Sequence, residues 1–100
     1  MTEQAAEVFI RKLKNGEDLR FMFRETRFFI ECWNEKDKSC LSLCRYRIFH
    51  AEERIEEFWE CSAPTVRQCA EMFLGAALWG GRPFPEALEE FSFPDGDAEE

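Results

Sequence analysis

Five cysteines and one histidine are the side chains in this 100-residue chain best suited to binding a metal ion or attacking a substrate. Cys40 and Cys44 form a C-x3-C pair, and the other candidate ligands are Cys32, His50, Cys61 and Cys69. Zinc needs ligand atoms about 2.3 Å away, usually supplied as two close pairs. In a strand, residues four apart stand about 13 Å from each other, at about 3.3 Å per residue. The pattern therefore favours structural cysteines over a metal site.

A thiol nucleophile would need a base and a group that orients the base. His50 is the single imidazole of the sequence and has no defined orienting partner. The chain also lacks a phosphate-binding loop, a nucleophile elbow and an H-E-x-x-H motif. We therefore expect no enzymatic activity and no cofactor. The odd number of cysteines after a polar N-terminus indicates reduced thiols and a cytoplasmic protein.

Charge is distributed very unevenly along the chain. Residues 1–50 contain ten Lys or Arg and eight Asp or Glu, whereas residues 51–100 contain three Lys or Arg and thirteen Asp or Glu. The two halves therefore carry net charges of +2 and −10, which sum to −8. Such a surface repels nucleic acid and attracts basic proteins. One interpretation is a surface that imitates a nucleic-acid backbone and enters a basic groove. The other is a solubilising face with an acidic tail.

The partner-binding surface that we predict from this charge consists of eight glutamates and one aromatic anchor. Trp59 is the expected anchor because it lies among glutamates, and aromatic side chains dominate interface hot spots. The predicted site residues are Glu52, Glu53, Glu56, Glu57, Trp59, Glu60, Glu86, Glu89 and Glu90. By contrast, Gly80-Gly81 follows a helix instead of preceding one, which predicts a helix cap and no phosphate cradle.

Basic and aromatic residues near the first hairpin also resemble a nucleic-acid-binding face, where aromatics stack on bases and arginines hold phosphates. These residues are Arg20, Arg24, Arg27, Phe29 and Trp33. The alternative is a solvated face whose arginines pair with Glu25 and Glu31 across strands. The net charge of −8 opposes a polyanion, so we expect no direct contact with nucleic acid.

Hydrophobic periodicity predicts the elements that position these residues. Apolar residues at helical spacing predict a helix over residues 3–14 and a second helix that begins at Ser62 as its N-cap and ends at Gly80-Gly81. Alternation with a period of two predicts strands over 19–23, 27–33 and 40–48. Residues 51–61 are rich in glutamate, which favours a helix, but their apolar and charged side chains also alternate as in a strand. We predict that they form a fourth strand at the edge of the sheet. A short helical turn over 85–90 and a brief strand over 91–93 complete the pattern.

Short connections make these strands antiparallel, and the apolar face of their sheet must be covered. The expected fold is α+β, with an antiparallel sheet of three to four strands and an N-terminal and a C-terminal helix packed on one face. One domain should span residues 1–93, followed by an acidic, flexible tail over 94–100. No apolar run reaches the 18 or so residues of a membrane span, so we expect no membrane association.

Three stretches carry a resemblance to small uncharacterised proteins of gut Firmicutes and their mobile elements. They are the N-terminal helix ending Asn15-Gly16, the segment Arg27-Phe28-Phe29-Ile30-Glu31-Cys32-Trp33, and the run from Arg67 to Phe84 that includes Trp79-Gly80-Gly81. The resemblance names no chemistry. In size, acidity and lack of catalytic motifs the chain also resembles phage-encoded anti-CRISPR proteins, which implies a role in blocking CRISPR effectors and assigns no residues.

Together these features predict an acidic inhibitor that occupies the basic nucleic-acid-binding groove of a partner such as a CRISPR effector nuclease. The alternative is a structural or assembly protein of a mobile element. Such a protein would form a homodimer through its sheet edge, and its acidic surface would serve solubility only.

Overall fold

The computed structural model of the chain describes residues 1–93. Helix α1 (Glu3–Lys14) begins where the Thr2 hydroxyl accepts a hydrogen bond from the Ala5 amide at 3.0 Å. It ends at Asn15, and Gly16 follows with a φ of +80°. The N-cap hydrogen bond and the charged side chains of the first and last turns therefore stabilise the helix that the apolar spacing predicts, and the helix has the predicted bounds.

Five strands form one antiparallel sheet in the order β4-β3-β2-β1-β5. The strands are β1 (Leu19–Phe23), β2 (Thr26–Glu35), β3 (Lys38–Phe49), β4 (Glu52–Ala63) and β5 (Phe91–Ser92). The predicted α+β class and antiparallel pairing are confirmed, but the predicted count of three to four strands is wrong. The fifth strand lies within the brief strand predicted over 91–93; it has two residues and joins the same sheet by pairing with Met22 and Phe23 at the end of β1.

The ambiguous residues 51–61 lie in β4, which forms a long hairpin with β3. Strand β2 hydrogen-bonds to β3 only as far as Arg45. Beyond it, Tyr46–Phe49 and Glu52–Ile55 project as a two-stranded ribbon, closed by His50 and Ala51 with φ of +52° and +64°. The ribbon exposes Ile48, Phe49 and Ile55 to solvent.

A β-bulge in β4 changes which side chains face the core. Leu43 pairs with Trp59 while Cys44 pairs with Glu57, so Phe58 is the extra residue. The bulge lets Phe58 and Trp59 both pack inward: Phe58 contacts Phe28 with ring centroids 5.5 Å apart, and Trp59 contacts Phe73 at 6.1 Å. The strict alternation expected for this strand is therefore broken at one position.

Helix α2 (Val66–Gly75) is capped by the Thr65 hydroxyl, which accepts from the Gln68 amide at 3.2 Å, not by Ser62 as predicted. The helix also ends five residues before Gly80. These glycines instead form a tight turn, with φ of +65° and +84°, in which Trp79 and Arg82 exchange backbone hydrogen bonds. The predicted glycine cap is therefore wrong, because the chain leaves the helix early to insert Trp79 into the core.

A single aromatic-rich core lies between the sheet and the remaining elements. Phe9 of α1 packs edge-on against Phe21 of β1 at 5.5 Å, and Phe73 of α2 packs against Trp79 at 6.1 Å. A 3₁₀ helix over Phe84–Glu90 closes the core with its buried Phe84 and Ala87. Neither helix in the described part has the length and apolarity needed to cross a bilayer. The predicted tail, 94–100, lies outside the described residues.

Candidate protein-interaction surface

Five of the eight glutamates of the predicted surface lie within 4 Å of an arginine. Two of these arginines, Arg24 and Arg27, come from the first hairpin, where the sequence analysis expected pairing with Glu25 and Glu31. The observed pairs are Glu52 with Arg54, Glu53 with Arg27, Glu56 with Arg45 and Arg47, Glu89 with Arg82, and Glu90 with Arg24 and Arg82. Local positive charge therefore compensates much of the acid carried after residue 50.

The acid near the 3₁₀ helix is held in its ionised form by these pairs. Arg24 Nε donates to Glu90 Oε1 at 2.6 Å, and this hydrogen bond is the main cause that lowers the pKa of Glu90. The pKa of Glu89 is also lowered, first by a backbone hydrogen bond and then by Arg82. These two carboxylates are committed to interactions within the chain, so they are poor candidates for contacts with a partner.

The remaining strand glutamates lie on the sheet face opposite the core, which we call the outer face. Cross-strand register places Glu31 of β2 and Glu60 of β4 on either side of Ser42 of β3. The Ser42 hydroxyl donates to Glu57 Oε2 at 3.2 Å, which brings a third carboxylate to the same place. Adjacent strands lie about 4.8 Å apart, so Glu31, Glu57 and Glu60 form one group, here called the acidic patch.

No lysine or arginine of residues 1–93 lies within 4 Å of a carboxylate of the acidic patch. Aromatic side chains border it on the same face. Phe29 and Tyr46 are in contact with ring centroids 5.4 Å apart, and Trp33 is 41% exposed. None of these three joins the core of the described chain or packs against it. The outer face therefore combines uncompensated negative charge with accessible aromatic surface.

Two members of the predicted site lie away from this patch. Trp59 is half-buried and packs on the core beside Phe73, so the expected exposed anchor is a partly buried core side chain. Glu86 lies on the 3₁₀ helix, in a different part of the fold. Sequence reasoning missed Glu31 as a member of the patch. Alternation places Glu31 outward, but only the register shows that it lies beside Ser42.

The cysteines are free thiols. Cys40 and Cys44 lie four residues apart on the single strand β3, as the argument against a shared zinc ion assumed. Burial is the first cause that raises the pKa of Cys32 to about 11 and that of Cys61 to about 12. Such thiols are protonated near neutral pH and are weak nucleophiles. Within residues 1–93, no three side chains of the metal-binding types form a group that could hold a metal ion.

Comparison with known proteins adds no functional assignment to this geometry. The chain matches no protein-family model, and the searches of curated proteins and of solved structures gave no match. The outer face itself is therefore the feature from which a function can be inferred.

Proposed function

We propose that the protein is a non-enzymatic inhibitor that docks its outer face into the basic nucleic-acid-binding groove of a partner, such as a CRISPR effector nuclease. The observation that supports this proposal is the acidic patch: Glu31, Glu57 and Glu60 gather beside Ser42 without a nearby cation among the described residues. A groove that binds phosphates offers the complementary positive charge.

The proposal moves the contact surface away from most of the glutamates that the sequence suggested. A carboxylate beside an arginine produces a weaker field at a distance than an uncompensated one, and salt screens both beyond about 8 Å at physiological ionic strength. Attraction for a basic partner is therefore concentrated at the acidic patch. Trp33 replaces Trp59 as the aromatic anchor, because it is exposed on the same face.

The test compares two triple variants that remove the same amount of charge. One carries Glu31→Gln, Glu57→Gln and Glu60→Gln; its matched control carries Glu52→Gln, Glu53→Gln and Glu56→Gln, three glutamates that pair with arginines. Exposed charge contacts contribute about 0.2 to 1 kcal/mol each, so we expect the patch variant to bind about three- to hundredfold more weakly. The control should bind within about threefold of the parent protein.

The measurement is binding to purified guide-loaded CRISPR effector nucleases at several salt concentrations, together with inhibition of their DNA cleavage. Affinity should fall as salt rises, because charge attraction drives association. Equal affinity at low and high salt, an equal loss in both triple variants, or no binding to any nuclease at low salt would contradict the proposal.

A second candidate function is homodimeric assembly through β4, which is an edge strand of twelve residues with no partner on its outer side in the described part. Its own charge opposes this pairing: an antiparallel pair centred on Glu56 places Glu52 of one copy opposite Glu60 of the other. Like charges directly opposite destabilise a sheet. Sedimentation at low and high salt separates the two candidates, since a stable dimer would favour assembly and a monomer would favour the inhibitor.

A further inference from the structure

Two buried donors without a partner belong to side chains that line the same cleft beside the aromatic core. Trp79 Nε1 and Arg45 Nε are buried and have no hydrogen-bond acceptor within residues 1–93. Both side chains line a cleft of about 210 Å³, here called the Arg45 cleft, whose other walls include Phe23, Arg24, Phe28 and Phe58. A buried donor that gives up water without gaining another acceptor is costly, so both atoms favour a ligand that accepts hydrogen bonds.

The two donors are held in place by packing. Trp79 is only 1% exposed, and its ring lies 5.2 Å from Phe28 and 5.0 Å from Phe23. The guanidinium of Arg45 stacks over the Phe58 ring at 4.7 Å, while its Nη2 points to Glu56 at 3.4 Å. Arg45 therefore uses one nitrogen for a surface ion pair and leaves Nε buried. This packing holds both side chains in place whether or not a ligand is present.

The charge around the cleft favours an anion, although the whole chain carries −8. No acidic side chain lines it, and two arginines do. The ion pairs near the cleft form two separate groups. Arg24 and Arg82 balance Glu89 and Glu90, whereas Arg45 and Arg47 share the single carboxylate of Glu56, which leaves one net positive charge on the group that contains Arg45. A single excess charge matches a monoanion better than a dianion, because an unbalanced charge is costly where solvent is reduced.

From these observations we propose that the Arg45 cleft binds a small carboxylate, whose two oxygens accept from Arg45 Nε and Trp79 Nε1. Planar carboxylates suit arginine donors, and a second N–H donor fits the second oxygen. The volume is several times the roughly 30 Å³ that one water occupies, so a group larger than a single water fits. The site is separate from the acidic patch, which lies on the outer face, and does not depend on the inhibitor proposal.

The indole N–H of Trp79 provides a direct readout. Sodium acetate is titrated into the full chain while the Trp79 indole signal is followed by NMR, with assignment from Trp79→Phe and ionic strength matched by sodium chloride. We expect a saturable shift with acetate, and only a small, linear change with chloride. Sodium phosphate at the same ionic strength should saturate the signal at higher concentration than acetate.

Two variants of neighbouring arginines on β3 complete the test. Arg45→Gln should weaken acetate binding by about tenfold, because it removes a charged donor. Arg47→Gln is the matched control: Arg47 pairs with the same Glu56 but does not line the cleft, so its acetate binding should stay within about twofold of the parent. If Arg45→Gln does not fold, Arg45→Lys keeps the charge, lacks Nε, and should also weaken binding.

An indole signal that responds equally to acetate and chloride would overturn the proposal. So would equal weakening in the Arg45 and Arg47 variants, because binding would then follow overall charge and not the cleft. Tighter binding of phosphate than of acetate would overturn the carboxylate assignment. Loss of nuclease binding by the patch variants does not affect any of these outcomes.

Discussion

Among the described residues, Trp79 contacts more aromatic rings of the core than any other side chain, so its replacement is a strong test of the packing. Its ring contacts Phe21, Phe23, Phe28 and Phe91 with centroids 4.9 to 5.8 Å apart. Replacing a buried Trp or Phe by alanine costs about 3 to 5 kcal/mol. Domains of this size are stable by only about 5 to 15 kcal/mol. Trp79→Ala should therefore remove a large part of the free energy of unfolding.

Trp79→Phe separates ring packing from the indole N–H. The phenyl ring keeps much of the aromatic contact and removes the buried donor that has no acceptor. Leaving such a donor unsatisfied costs about 1 to 3 kcal/mol, so its removal offsets part of the packing loss. We expect the phenylalanine variant to lose less than half of the stability that the alanine variant loses.

The assay is urea unfolding followed by far-UV circular dichroism, which does not depend on the tryptophan that is replaced. Trp59→Ala is the matched control, because Trp59 is half-buried and, in the part of the chain that the structure describes, its one aromatic contact is with Phe73. It should lose less stability than Trp79→Ala. If Trp79→Ala loses no more than Trp59→Ala, or less than about 1 kcal/mol, the central role assigned to Trp79 is wrong.

Three further outcomes follow from local features. The pKa of Glu90 is lowered in the folded chain, so its ion pair stabilises the fold at pH values above the ordinary carboxyl pKa. This stabilisation is lost as the pH falls through the lowered pKa of the folded state. The urea midpoint should therefore fall less on acidification in Arg24→Gln than in the parent protein. Gly81→Ala should lower the free energy of unfolding by about 1 to 2 kcal/mol, because the φ of Gly81 is +84°. Gly75→Ala lies in a helix with free space around it and should raise the free energy of unfolding by about 0.4 to 1 kcal/mol. Equal melting temperatures of the two variants would contradict this. Burial raises the pKa of Cys61 to about 12, so iodoacetamide should label it more than about tenfold more slowly in the folded chain than in urea. Mass spectrometry measures both rates, and equal rates would refute the burial.

Much of the fold could be predicted because its signals are local. The first helix, four strands and the α+β class follow from spacings of two to four residues and from capping side chains. The helix α2 was predicted too long because its apolar repeat continues through Ala77 and Leu78 after the helix has ended at Gly75. Nothing local distinguishes apolar residues that continue a helix from those that lead Trp79 into the core.

The candidate site was less predictable, because charge counts do not reveal pairing. The sequence places thirteen acidic residues after residue 50, but it does not show that Glu53 meets Arg27 or that Glu90 meets Arg24. Those contacts join residues 26 and 66 positions apart. The acidic balance is therefore visible in the sequence, but several of the predicted site glutamates form ion pairs within the fold.

The sequence by itself determined what depends on neighbours along the chain: the helix and strand periods, the acidic balance and the spacing that separates Cys40 from Cys44. Tertiary structure decided what depends on register and packing across the sheet: the bulge that turns both Phe58 and Trp59 inward, the carboxylates that stay unpaired beside Ser42, and the two donors left without acceptors. The physical reason is that periodicity is a property of a few consecutive residues. A charge or a donor acquires its partner only when distant segments are brought together.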